Sequence, residues 1–195
     1  LDNKASLPTA VLSLAVAIGR EALHANTTAS SNTAIGKHAL RANTTASDNT
    51  AVGKDALLSN TTGNSNVALG HTALQANTTA NDNVSVGVSA LYTNTTGASN
   101  VAVGRSALQN ATTASNNTAL GYASLNANTT GAENVAVGSG ALDANTTASS
   151  NTGVGYNALG ANTTGTQNSA FGRGALDANT TGDYNMAFGS HALGA

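Results

Sequence analysis

Apolar and polar residues recur along this chain with one fixed period. Glycine stands at 19, 36, 53 and every seventeenth residue onward to 189, and leucine follows four residues after each, from Leu23 to Leu193. A Thr-Thr pair closes every complete copy, from Thr27-Thr28 to Thr180-Thr181. There are ten complete copies beginning at Ala15 and an eleventh cut short at Ala195, with no insertion anywhere. A constant period of this length predicts identical rungs stacked on one another, each too small to bury its apolar face alone. Positions in the repeat are numbered 1 to 17 from the first letter of "NTAIG" (Asn32 to Gly36).

Positions 2 to 4 read as a short strand ending in a glycine turn. Position 4 is always large and apolar, as in Ile35, Val52, Leu69 and Phe171, and position 3 is Ala except for Ser85 and Gly153. Alternation places positions 2 and 4 on one face and position 3 on the other. No charge occurs at any of the three, so the strand reads as buried on both sides. The arm "ALxANTT", positions 8 to 14, reads either as a second strand or as a single helical turn over "ALxA", since Ala and Leu favour helix. As a strand it points Leu40, Ala42 and Thr44 inward beside position 4, and Ala39, Arg41, Asn43 and Thr45 outward. Positions 6, 7, 16 and 17 vary freely and carry most of the charge, as turns do. Position 15 is Ala or Gly, which suits a tight bend.

On this reading position 4, the leucine of position 9 and part of position 2 fill the coil. The small face of the strand then needs cover from other copies of the chain. A homotrimer supplies it, with Ala51, Ala68, Ala102, Ala119 and Ala136 as contact candidates near a threefold axis. Eleven rungs at ~4.8 Å make a rod about 50 Å long. The Asn columns at positions 1 and 12 suit amide ladders of the kind seen in stacked β structures. Asn49, Asn66 and Asn100, Gly53, Gly70 and Gly104, and Leu57, Leu74 and Leu108 are the corresponding ladder residues. The expected fold is an all-β solenoid over residues 15–195, preceded by a cap or neck over 1–14.

Composition narrows the function. Charged residues make up 8% of the chain, against about 25% in ordinary domains. Cysteine is absent, which excludes a disulfide framework and thiolate metal sites. So sparse a charge argues against a nucleic-acid groove. No apolar run reaches the length that crosses a bilayer; the most apolar stretch, "LPTAVLSLAVAIG" (Leu7 to Gly19), reads as a cap or first rung. "GSG" and "GRG" do not complete a phosphate-binding G-x-G-x-x-G, and the four histidines are scattered. These features predict no enzyme, no metal and no cofactor. Asn-Thr-Thr is a glycosylation acceptor, but glycans on successive rungs would collide. Tyr92, Arg105, Tyr122, Tyr156 and Arg173 are the candidate surface-binding residues, with the tyrosines suited to stacking on sugars.

"NTAVG", "NVALG" and "NVAVG" resemble the "NSVAIG" units of YadA-like head repeats in trimeric autotransporter adhesins. The longer form "NTAxGxxAL…NTTG" resembles repeats in bacterial and phage trimeric fibre proteins. The resemblance covers residues 15–195. It implies a left-handed parallel β-roll, three chains side by side, and an extracellular place on a cell-surface, outer-membrane-anchored or virion fibre. It also implies a rigid stalk or head used in adhesion, with an unidentified cell-surface protein or glycan as partner. The repeat here is longer than the head repeat, and the extra residues lie in the "ALxANTT" arm. The alternative is an ice-binding solenoid, using outward Asn and Thr columns at positions 12 and 14.

Overall fold

The computed structural model describes residues 14–194, so the cap or neck expected over 1–14 lies outside them apart from Leu14. Positions 2 to 4 of every rung form a three-residue strand, from β1 (Val16–Ile18) through β6 (Val101–Val103) to β11 (Met186–Phe188). The eleven strands make one parallel sheet in chain order. Each position lies over the same position of the next rung, as Val101, Ala102 and Val103 lie over Thr118, Ala119 and Leu120. Phe171 and Phe188, both at position 4, stack with ring centroids 4.8 Å apart and planes 3° from parallel. That is the spacing of hydrogen-bonded strands.

The strand faces the opposite way from the sequence expectation. Position 3 points into the coil. Ala51, Ala68, Ala102, Ala119 and Ala136, expected at a trimer axis, are each 0% exposed within the single chain, so no partner reaches their side chains. They lie among the alanines of position 8 and the leucines of position 9. Ser85 Oγ donates to the Ala90 carbonyl at 2.8 Å, and a Cβ built on Gly153 meets the Leu142 side chain at 3.4 Å. The physical reason is thickness: the coil encloses only a slot, and a methyl is what fits across from each leucine. Positions 2 and 4 face outward instead, half-buried in most rungs.

The second arm is neither a strand nor a helical turn; no described residue is helical. Positions 6 to 11 are consecutive tight turns. The N–H groups of positions 8 and 12 donate three residues back, as Ala39 does to Gly36 O at 3.3 Å and Asn43 to Leu40 O at 3.2 Å, and in a few rungs position 10 does so too, as Arg41 to His38 O at 3.2 Å. Those of positions 7, 9 and 11 donate between rungs: Asp55 to Lys37 O at 2.9 Å, Leu40 to Ala56 O at 3.0 Å, Ala42 to Leu58 O at 3.1 Å. Positions 7 and 9 sit in the left-handed region, as with His38 (φ 62°) and Leu40 (φ 50°). A leucine there cannot continue a helix. The outcome is that positions 8, 9, 12 and 15 are buried, whereas Ala42 and Thr44, expected inside, are half-exposed.

Ala123 holds position 7 at φ 53°, where an L side chain costs about 1–2 kcal/mol. Ala123→Gly is therefore expected to raise stability by about 1 kcal/mol in urea unfolding, after glycine's own entropy cost.

Candidate functional site

Two asparagine columns form the spine that fixes every surface. At position 1 the amide oxygen accepts the backbone N–H of the next asparagine, as Asn49 Oδ1 does from Asn66 N at 2.9 Å and Asn83 Oδ1 from Asn100 N at 3.0 Å. At position 12 the side-chain nitrogen donates to the amide oxygen one rung back, as Asn60 Nδ2 does to Asn43 Oδ1 at 3.0 Å. Both columns also donate to the carbonyl of position 15: Asn49 Nδ2 reaches Gly63 O at 2.9 Å and Asn60 Nδ2 reaches the same oxygen at 2.9 Å. That bond pattern closes the bend at the end of each rung. The position-13 threonines add a hydroxyl bond to the next rung, as Thr61 Oγ1 does to Thr78 O at 3.0 Å.

The position-12 column is broken once, at Ala111. Asn94 Oδ1, directly before the gap, is buried with no hydrogen-bond partner among the described residues. An unpaired buried acceptor costs about 1–3 kcal/mol. Ala111→Asn would place a donor beside it and an acceptor beneath Asn128. The expected result is a gain of roughly 1–2 kcal/mol in urea unfolding.

Burial of position 12 also removes the Asn–Thr array expected on an outward face. Asn43, Asn60, Asn77 and their equivalents are inside, with their Nδ2 atoms already engaged. A glycan cannot be joined to them in the folded chain. The position-14 threonines, from Thr28 to Thr181, remain exposed as a column one residue wide.

The sequence reading missed the largest surface feature. Positions 2 and 4 turn a strip of Val, Thr, Ile, Leu and Phe outward along the whole sheet, and none of these positions carries a charge. At three residues wide and eleven rungs long the strip measures about 10 Å by about 50 Å. The signal was present: position 3 is held to Ala, Ser or Gly while position 4 ranges from Val to Phe, as an enclosed and an open site would.

The turn flank carries the other candidates. Arg105, Tyr122, Tyr156 and Arg173 all occupy position 6 and form one exposed line; Tyr92 lies apart, on position 10. The Arg173 guanidinium lies 5.9 Å from the centre of the Tyr156 ring, within cation–π range. The other lysines and arginines of the described residues, Arg20, Lys37, Arg41 and Lys54, are gathered in the first three rungs. Arg41 Nε is 2.7 Å from Glu21, and His38 Nδ1 is 2.9 Å from Asp55. Burial raises the Asp55 carboxyl, but the His38 hydrogen bond and nearby Lys54 outweigh it and hold the group below its ordinary value. Beside this cluster His24, Arg41 and Leu58 line a shallow open depression. Among the described residues no group of three His, Asp or Glu side chains converges as a metal site. No helix of the described residues is long and apolar enough to cross a membrane. Comparison with protein-family models, curated proteins and solved structures gives no match.

Proposed function

We propose that this chain is a rigid segment of a homotrimeric surface fibre, a stalk or head that displays its outer flank to cells or host receptors. The observation that carries this reading is the uncharged outward face of the eleven-stranded sheet. Parallel sheets are ordinarily covered on both faces. An uncharged, largely apolar strip on the order of 500 Å², with Thr33, Thr50, Thr118, Thr152 and Ser169 among its Val, Ile, Leu and Phe side chains, is what a contact surface looks like. Three coils around a threefold axis, each turning positions 2 and 4 inward, cover all three strips with closed symmetry. The same arrangement leaves position 6, and with it the tyrosines and arginines, on the outside. The resemblance to trimeric adhesin and fibre repeats supports both the assembly and an extracellular place for it, and adds a left-handed coil as the expected hand. Stiffness follows from the ladders, because each rung is tied to its neighbours by side chains as well as backbone.

Sedimentation equilibrium at micromolar concentration is expected to give three times the chain mass of 19.0 kDa. A clean monomer would overturn the trimer. The second reading, ice binding, rests on the exposed position-14 threonines, spaced at ~4.8 Å. A monomer with clear thermal hysteresis, lost when Thr147 and Thr164 are replaced by bulky residues, would put that reading first.

A further inference from the structure

We propose that the position-6 line from Arg105 to Arg173 is a binding track for a linear acidic polysaccharide in which charged and neutral sugars alternate. The inference rests on the fibre reading only in keeping this flank exposed. Five successive rungs present Arg105, Tyr122, Ser139, Tyr156 and Arg173 in order. Their register is set by the backbone, because each position-6 carbonyl accepts the position-7 N–H of the next rung: Ala123 N to Arg105 O at 3.0 Å, Gly140 N to Tyr122 O at 3.0 Å, Gly174 N to Tyr156 O at 2.9 Å. The two tyrosines are therefore two rungs apart and the two arginines four.

The rings are open to a ligand: Tyr122 is 58% and Tyr156 61% exposed. Of the position-7 residues beside the line, Ala123, Gly140 and Gly174 are small, so Tyr122 is flanked by no bulky side chain; Tyr156 has Asn157 next to it and the Arg173 guanidinium 5.9 Å from its ring centre. Neither arginine is in an ion pair among the described residues, so each can take a carboxylate in bidentate fashion, Arg173 from its place against the Tyr156 ring. Two acids of these rungs, Asp143 and Asp177, belong to the position-10 column. Burial pushes the Asp143 carboxyl up, and Asp177 Oδ2 lies 3.6 Å from His191 Nδ1.

The spacing is what selects the ligand class. With sugars advancing about one per rung, an extended chain laid along the fibre puts its first, third and fifth units at Arg105, Ser139 and Arg173. Its second and fourth units fall on Tyr122 and Tyr156. Acidic sugars then meet the cations at the two ends, and the apolar faces of neutral sugars stack on the rings between them. A polymer that is acidic at every unit would set carboxylates against the tyrosines, and a neutral one would leave both arginines unused.

The test is titration of the intact chain with a hyaluronate decasaccharide, which alternates a uronic acid with a neutral sugar, and with neutral cellohexaose. Calorimetry and tyrosine fluorescence report binding; the chain has four tyrosines and no tryptophan. Hyaluronate is expected to bind, and to weaken with added salt. Tyr122→Ala with Tyr156→Ala, and separately Arg105→Gln with Arg173→Gln, should each weaken it by about ten-fold or more. Tyr184→Ala, on another column, should not. No hyaluronate binding at millimolar ligand, equal affinity for cellohexaose, or full affinity in both double variants would each overturn the track. A trimer that binds no hyaluronate removes this site and leaves the fibre reading standing. A monomer that binds it does the reverse.

Discussion

Gly104→Ala is expected to cost about 4 kcal/mol or more in urea unfolding, one of the largest losses any single methyl could cause in this chain. Gly104 ends β6 at φ 136°, a backbone conformation closed to residues with a Cβ. Space forbids the methyl as well. A Cβ on Gly104 would lie 2.4 Å from the Gly121 carbonyl oxygen and 2.6 Å from its carbon. Both are backbone atoms of the next rung, so no rotamer change relieves the contact; the rungs must part. Parting them breaks hydrogen bonds on either side, such as Gly121 N to Val103 O at 2.8 Å, and removes the neighbour contacts on which a solenoid's stability rests. The control is Gly140→Ala. That residue also has positive φ, 67°, but its nearest atom to a new Cβ is the Asn157 side chain at 3.4 Å, and other rungs carry Glu21 or His38 there. It should cost only about 1 kcal/mol. Equal losses for the two would show that conformation alone, and not the approach of the next rung, fixes the glycine column.

That contrast separates what the repeat makes legible from what it does not. The period, the strand at positions 2 to 4 and the stacking of like on like could all be read from the chain, because an unbroken glycine column and alternation admit few other arrangements. The direction of the strand could not. Alternation says that Val101 and Val103 share a face and Ala102 takes the other, but not which face is enclosed. A small residue marks a close neighbour, and the neighbour of Ala102 is this chain's own second arm. The arm itself was obscured by its leucines. Leu108 is a helix former by propensity, yet it sits at φ 51°, held there by burial and by its N–H bond to Ser124 O at 2.9 Å. Nor does position 17 advertise its left-handed backbone, since Asp48 and Asn116, which tolerate it, share the column with Ser65, Glu133, Gln167 and Tyr184, which have no preference for it. On the flank, the candidates could be named individually, but that Arg105, Tyr122, Tyr156 and Arg173 form one line and Tyr92 does not follows only once the turns are placed.

Neighbouring residues on β6 give opposite outcomes for the same charge, and this pair tests the proposed assembly most directly. Val103→Glu should leave the coil folded and turn the trimer into a monomer. Val103 is 37% exposed in the single chain, so a carboxylate there reaches water when the chain is alone. In the trimer it would face two like charges in an apolar contact with no cation at positions 2 or 4 of any rung to pair them. A loss of at least about a thousand-fold in association, roughly 4 kcal/mol, is expected. Ala102→Glu should instead destroy the fold, because that side chain is sealed in the slot and a glutamate finds neither room nor a partner there. Circular dichroism and sedimentation on both variants check the pair. Val103→Glu remaining a trimer would show that the outward strip is not the interface. Ala102→Glu remaining folded would show that position 3 faces out of the coil after all, and would return the alanine column to the role the sequence first suggested for it.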